Sequence, residues 1–313
     1  MKKRRLKKSV IKKGIILLVL ILLVFVIIKI IGVMKYHKTD EYKLKKIGYT
    51  IDEIRIIEKD TTDNINYILN NEYDAEIVNF MNGKYYISKN LEKYVDYKKN
   101  HDKKIDEVIS LVNVNRINDF YTNTLKTNIE LNELMLVNKY NYLDESFVPD
   151  GVINAPLTYA YSDVKTTEKA LEYYKKMYNA AKADGINLIL SSGYRSYNEQ
   201  KETYDEYEKI KKDKVDTYAA RPGYSEHQTG YAFDILTMGA MTTDFDKTDE
   251  FKWLQDNSFK YGFILRYPSG KENITGFDYE SWHFRYVGEK AAKVIHDENI
   301  TFDEYYAYYI DNK

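Results

Sequence analysis

One apolar run near the start of the chain, Gly14 to Ile28, broken by Lys29 and resumed through Ile30–Met34, constrains this sequence more than any other feature. Its 21 residues would span roughly 31 Å as an α-helix rising 1.5 Å per residue, about the thickness of a bilayer's hydrocarbon core. Eight basic residues and no acid precede it within residues 1–13: Lys2, Lys3, Arg4, Arg5, Lys7, Lys8, Lys12 and Lys13. A basic flank stays in the cytoplasm, so the pattern predicts a cytoplasmic tail over 1–13, a transmembrane signal anchor over 14–34 and an extracellular remainder. Lys29 lies near the outer end, where its long stem carries the ammonium to the interface. A cleaved signal peptide is the competing reading. Its apolar core is normally shorter, and Val33-Met34-Lys35 supplies no small-residue cleavage pattern, so an uncleaved anchor is expected.

The body of the chain has the opposite charge. From Thr39 onward, 36 Lys plus Arg stand against 48 Asp plus Glu, a net −12. A nucleic-acid binder needs a basic face, so no nucleic-acid partner is expected. Cysteine is absent, which excludes disulfides, thiolate metal sites, a cysteine nucleophile and a lipid-modified cysteine anchor. With 44% apolar residues, 32 Tyr and 12 Phe, the chain can furnish a real core.

Residues 35–130 read as a mainly helical extracellular stalk or small domain. Ile51, Ile54 and Ile57, then Ile65, Ile68 and Leu69, then Ile105, Val108, Ile109 and Val112 recur at helical spacing. None of these positions carries a chemical constellation. From about Leu131 the texture changes. Thr166 is expected to cap a helix running to about Ala183, with Gly185 as the terminating residue. Strands are expected over Ile186–Leu190, Tyr231–Leu236, Phe263–Arg266 and Trp282–Val287. Helices are expected over about Tyr197–Lys211, from Thr248 toward Lys260, and after the capping box Thr301-x-x-Glu304. Strands and helices mixed without strict alternation predict an α+β domain over 131–313, an antiparallel sheet flanked by helices.

Of five histidines, His37, His101 and His296 lie beside the apolar run or in charged helical context and are expected to be exposed and inert. His227 and His283 differ. His227 stands in Ser225-Glu226-His227-Gln228-Thr229-Gly230-Tyr231-Ala232-Phe233-Asp234, where a turn feeding a strand aims an imidazole and a carboxylate at one point. His283 follows Glu280 by three residues. Two histidines and one aspartate would give zinc three protein ligands and leave its fourth position for water, the mark of a catalytic rather than a structural site. Glu280 is then the candidate general base, and Arg195 offers a fixed fork of donors for a carboxylate or a developing oxyanion.

In order along the chain, Ser192-Gly193-Tyr194-Arg195-Ser196, Ser225-x-His227-x-x-Gly230-x-Ala232-x-Asp234 and Glu280-x-Trp282-His283-x-Arg285 resemble the three motifs of the zinc D-alanyl-D-alanine carboxypeptidases of VanY type. Leu136-Val137-Asn138-Lys139 followed by Phe147-Val148-Pro149 looks like the opening segment of that catalytic domain. The resemblance covers about residues 131–313. It implies that His227, Asp234 and His283 bind one zinc ion and that Glu280 is the catalytic base. Arg195 is implied as a catalytic and substrate-binding residue, and Ser225 and Gln200 as secondary substrate contacts. The implied substrate is the D-Ala-D-Ala terminus of peptidoglycan stem peptides. An L,D-carboxypeptidase acting on tetrapeptide stems is the nearest alternative, and a non-catalytic zinc-containing wall-binding protein is the alternative of another class. Serine peptidases of this substrate use S-x-x-K, present here as Ser9-x-x-Lys12 and Ser162-x-x-Lys165, but neither is accompanied by S-D-N or K-T-G.

Overall fold

The structure, a computed structural model, describes residues 8–60, 64–239 and 242–311. The predicted basic residues Lys2 to Lys7 lie outside the described residues. The apolar run forms one helix, Lys8–Tyr36, with no buried residue. It is long and apolar enough to cross a membrane.

The chain divides into two compact units, one ending at Asp106 and the other beginning at Glu107. Within the first, short helices Asp40–Ile47, Ile51–Ile57, Asn64–Leu69, Ala75–Met81 and Leu91–Asn100 follow the apolar helix. They bury Leu44, Ile54, Ile57, Ile68, Ile77, Phe80, Leu91 and Tyr94. The helical spacing of isoleucines is what places these side chains on inward faces. Thr50 and Glu53 form a capping box at the second of these helices.

Residues 107–130 pack with the second unit, although the sequence changes texture only near Leu131. The Ser110 hydroxyl donates to Glu304 Oε1 at 2.7 Å, Arg116 Nε donates to the Asn273 carbonyl at 2.8 Å, and the Tyr140 hydroxyl donates to the Asn118 carbonyl at 2.8 Å.

The second unit is α+β. Its main sheet has four antiparallel strands: β1 (Ile189–Ser192), β2 (Ala232–Leu236), β3 (Phe263–Leu265) and β4 (His283–Tyr286), in spatial order β1-β2-β4-β3. Alternation along the central strands sorts side chains between two faces. Phe233, Ile235, Phe284 and Tyr286 join the apolar core with Leu171, Tyr174 and Met177 of the helix Glu168–Ala183. Asp234, His283 and Arg285 point the other way. Because Asp234 pairs directly with His283 across β2 and β4, the register sets their side chains side by side.

The helix Tyr197–Lys211 and the Thr301–Glu304 capping box occur where the sequence places them. The expected strands over 231–236, 263–266 and 282–287 are each found within a residue of their bounds. Two expectations need correction. Thr167, not Thr166, caps the helix Glu168–Ala183, because Lys165–Thr167 pairs as a strand with Val152–Asn154 and holds Thr166 extended. The strand expected over Ile186–Leu190 begins at Ile189. The helix end uses Gly185 at φ 81° and returns the Ile186 amide to the Ala181 carbonyl at 2.9 Å, so residues 184–186 close the helix rather than pair in the sheet.

Candidate active site

His227 sits on a one-turn 3-10 segment, Glu226–Thr229. The Ser225 hydroxyl accepts from the His227 amide at 3.4 Å, and Gly230, at φ 71°, turns the chain into β2. That left-handed turn is open to glycine at little cost. The His227 backbone carbonyl also accepts from the Arg195 amide at 3.1 Å, which binds the segment following β1 to this turn. Gly193 lets the same segment run close against a different neighbour, the Lys165 backbone, whose carbonyl accepts from the Tyr194 amide at 2.6 Å: a Cβ at Gly193 would collide with that carbonyl oxygen.

Three side chains converge. Asp234 Oδ1 lies 3.5 Å from His227 Nε2 and 3.5 Å from His283 Nδ1, and one donor atom from each residue falls within a 4.8 Å set. These spacings exceed good hydrogen bonds. They match the distance of about 3.4 Å between ligand atoms that sit about 2.1 Å from a shared tetrahedral ion. Asp234 Oδ1 is buried and has no hydrogen-bond partner, so the donor set fits a metal ion that would satisfy it. The other nitrogen of His227, Nδ1, is 2.7 Å from the Gly193 carbonyl oxygen; donating there leaves the Nε2 lone pair facing Asp234.

Glu280 lies just before β4, its amide bonded to the Tyr267 carbonyl at 3.1 Å and its Oε2 3.5 Å from His283 Nδ1. Burial pushes its carboxyl up to about 8. Burial alone would lower the His283 imidazole, but Asp234 and Glu226 outweigh it and hold it near 9. Asp234 is held well below the usual carboxylate range, since the two histidines overcome the opposing effect of its burial.

Arg195 is fixed from both sides: its Nη1 donates to Gln200 Oε1 at 2.9 Å and its Nη2 to the Ser192 hydroxyl at 3.3 Å. Gln200 in turn donates to the Ala220 carbonyl at 2.7 Å. Arg195, Gln200, Ser225, His227, Asp234, Glu280 and His283 all line one cleft of about 180 Å³, whose walls include Tyr207, Tyr218, Phe277 and Trp282. Lys139 braces those walls. Its ammonium donates to the Asp216 and Gly276 carbonyls, each at 2.5 Å, with the Phe277 ring 4.3 Å away. Its burial lowers it to about 8.

A family model for VanY, D-alanyl-D-alanine carboxypeptidase, matches residues 163–289. The bifunctional D-Ala-D-Ala dipeptidase and D-Ala-D-Ala carboxypeptidase VanXYC of Enterococcus gallinarum is 32% identical over 185 residues, 57% of this chain and 95% of that protein. The chain belongs to the VanY family. The VanY match contains Arg195, Gln200, Ser225, His227, Asp234, Glu280 and His283 and excludes Lys139, the apolar helix and the first unit. A D-alanyl-D-alanine carboxypeptidase of Enterococcus faecium is 34% identical over 191 residues, 58% of this chain and 59% of its own length. Three curated relatives are matched over only 52% to 67% of their own length. The solved structure of the LdcB LD-carboxypeptidase is 39% identical, with a TM-score of 0.56, covering 61% of this chain and 94% of that one.

His37, His101 and His296 are exposed and lie outside the cluster. Sequence reasoning gave no role to Glu226, which is 1% exposed beside the metal-ligand candidates, or to the two buried arginines that surround it, Arg266 and Arg285, although Arg285 stands in the third motif. The alternation of His283 and Arg285 along β4 was the available signal, because it places both on one face.

Proposed function

We propose that this chain is a zinc-dependent carboxypeptidase that removes the terminal D-alanine from peptidoglycan stem peptides. The observation that carries the reading is the convergence of His227 Nε2, Asp234 Oδ1 and His283 Nδ1 around an unpartnered carboxylate oxygen, with Glu280 beside them and family membership behind them. A nitrogen- and oxygen-donor set of three, without a fourth protein ligand among the described residues, suits a catalytic zinc ion. When bound, that ion would supply Lewis-acid chemistry, polarising a carbonyl and lowering the pKa of water to about 7.

The chain's own groups do the rest. Glu280 Oε2 accepts the proton of the attacking water and delivers it to the leaving amine. Arg195, prealigned by Gln200 and Ser192, binds the free carboxylate of the substrate or the oxygen on which charge develops. Gln200 and Ser225 line the same cleft and secure Arg195 and the His227 turn. Water attacks directly, with no nucleophilic side chain.

The helix Lys8–Tyr36 serves as a single-pass anchor, and its basic flank places both following units on the outer side of the membrane. Substrate then reaches the cleft where the cell wall lies.

Similarity to the LdcB LD-carboxypeptidase favours a second reading, cleavage of tetrapeptide rather than pentapeptide stems. Mass spectrometry of defined stem peptides after incubation with the full chain in detergent separates the two. Loss of one alanine from the pentapeptide, with the tetrapeptide intact, is the expected result. Cleavage of the tetrapeptide alone would replace the D,D assignment with the L,D one, and two intact peptides would overturn both.

A further inference from the structure

Beneath the cluster lies a charged network that the reaction does not use. Glu226 Oε1 accepts from Arg266 Nε at 2.8 Å and faces Arg285 Nη1 at 3.1 Å. Arg266 Nη1 donates to Asp303 Oδ2 at 2.6 Å, and Asp303 Oδ1 accepts from Asn138 at 2.8 Å. Arg285 Nη2 donates to the Glu133 and Met135 carbonyls at 2.9 Å. Glu226, Arg266, Arg285 and Asp303 are 4% exposed or less. Burying four charges is costly even when they are paired, so a purely structural account would have every oxygen of Glu226 engaged by an arginine.

It is not so engaged. Glu226 Oε2 has no hydrogen-bond partner, and neither has His283 Nε2; these two buried orphans face each other at 3.8 Å. An approach of about 0.8 Å turns that gap into an ordinary hydrogen bond. The opposite nitrogen of the same ring, Nδ1, is the one directed at Asp234.

We propose that Glu226 is a positioning residue for the metal centre: its free oxygen accepts the His283 Nε2 proton, which fixes the tautomer and aims the Nδ1 lone pair at the point shared with His227 and Asp234. The inference rests on the metal-site reading above. Arg266 and Arg285 hold the carboxylate in place, and Asp303 ties Arg266 to the first turn of the helix Phe302–Tyr309. His227 is oriented by the Gly193 carbonyl in the same manner, so each imidazole has one acceptor behind it. Partners of this kind are typically worth about 10- to 100-fold in metal affinity.

The test is zinc affinity of the full chain in detergent, measured by competition with a chromophoric chelator for wild type and Glu226→Gln. A dissociation constant raised about 10- to 100-fold, with near-ultraviolet circular dichroism of the metal-free proteins superimposable, is the expected result; a constant within twofold of wild type overturns the proposal. If the variant does not fold, the wild type decides. Long-range proton–nitrogen spectra of histidine-labelled, zinc-loaded protein should place the His283 proton on Nε2, shifted downfield by a carboxylate. An unprotonated Nε2, or a His283 ring bound through it, overturns the proposal. If wild type binds no zinc at all, the metal-site reading fails rather than the role of Glu226.

Discussion

Replacing Glu280 with glutamine is expected to lower kcat about 10²- to 10⁴-fold while leaving zinc affinity close to that of wild type. The substitution keeps volume and shape but removes the site's proton acceptor. It spares the proposed ligands, since His227, Asp234 and His283 supply the donor atoms. Burial raises the Glu280 carboxyl to about 8 in the metal-free chain. A dication at the proposed adjacent ligands would favour its ionised form by Coulomb attraction, so loading the site is expected to raise the share of carboxylate that can accept a proton. Steady-state kinetics on a defined pentapeptide, together with the chelator competition, check both halves. A Glu280→Gln enzyme retaining a third or more of the wild-type rate would show that another group moves the proton.

The largest stability effect is expected at Arg266. It is 1% exposed and binds Glu226 and Asp303 at once. Arg266→Ala leaves those carboxylates buried beside a cavity, with only Arg285 still facing Glu226. Removing one partner of a buried ion pair costs about 3–5 kcal/mol. For a unit of this size that corresponds to a fall in Tm of about 6–20 °C. The pH dependence has a definite sign. In wild type, burial opposes ionisation of Glu226, but Arg266 and Arg285 outweigh it and hold the carboxyl well below its ordinary value. A depressed folded-state pKa contributes stability above the unfolded pKa, near 4.3, that is lost as pH falls toward the folded value. Without Arg266 the Glu226 carboxyl protonates more readily, so the gap between variant and wild type should be widest at neutral pH and narrow below about pH 4. Thermal unfolding across that range checks the prediction. A uniform gap would assign the loss to packing alone.

The side chains that converge in the cleft were legible in the sequence because few histidines are present and two fall in glycine- and aromatic-rich segments. The helix Tyr197–Lys211 was legible for a local reason: Ser196 and Glu199 close a capping box at its start. The charged layer under the candidate metal site was not. Glu226, Arg266, Arg285 and Asp303 belong to residue types that almost always face water, and only tertiary pairing reveals that these four do not. Gly193 likewise looks like any turn glycine until the Lys165 carbonyl is seen 2.3 Å from where its Cβ would be. The start of β1 was misplaced because the helix end claims residues that, in composition, read as strand.

The most direct measurement is D-alanine release from a defined pentapeptide by the full chain before and after removal of bound metal, with zinc content determined on the same samples. About one zinc per chain is expected, with loss of release on chelation and recovery on adding zinc. Undiminished release from chain shown to be free of metal would contradict zinc dependence.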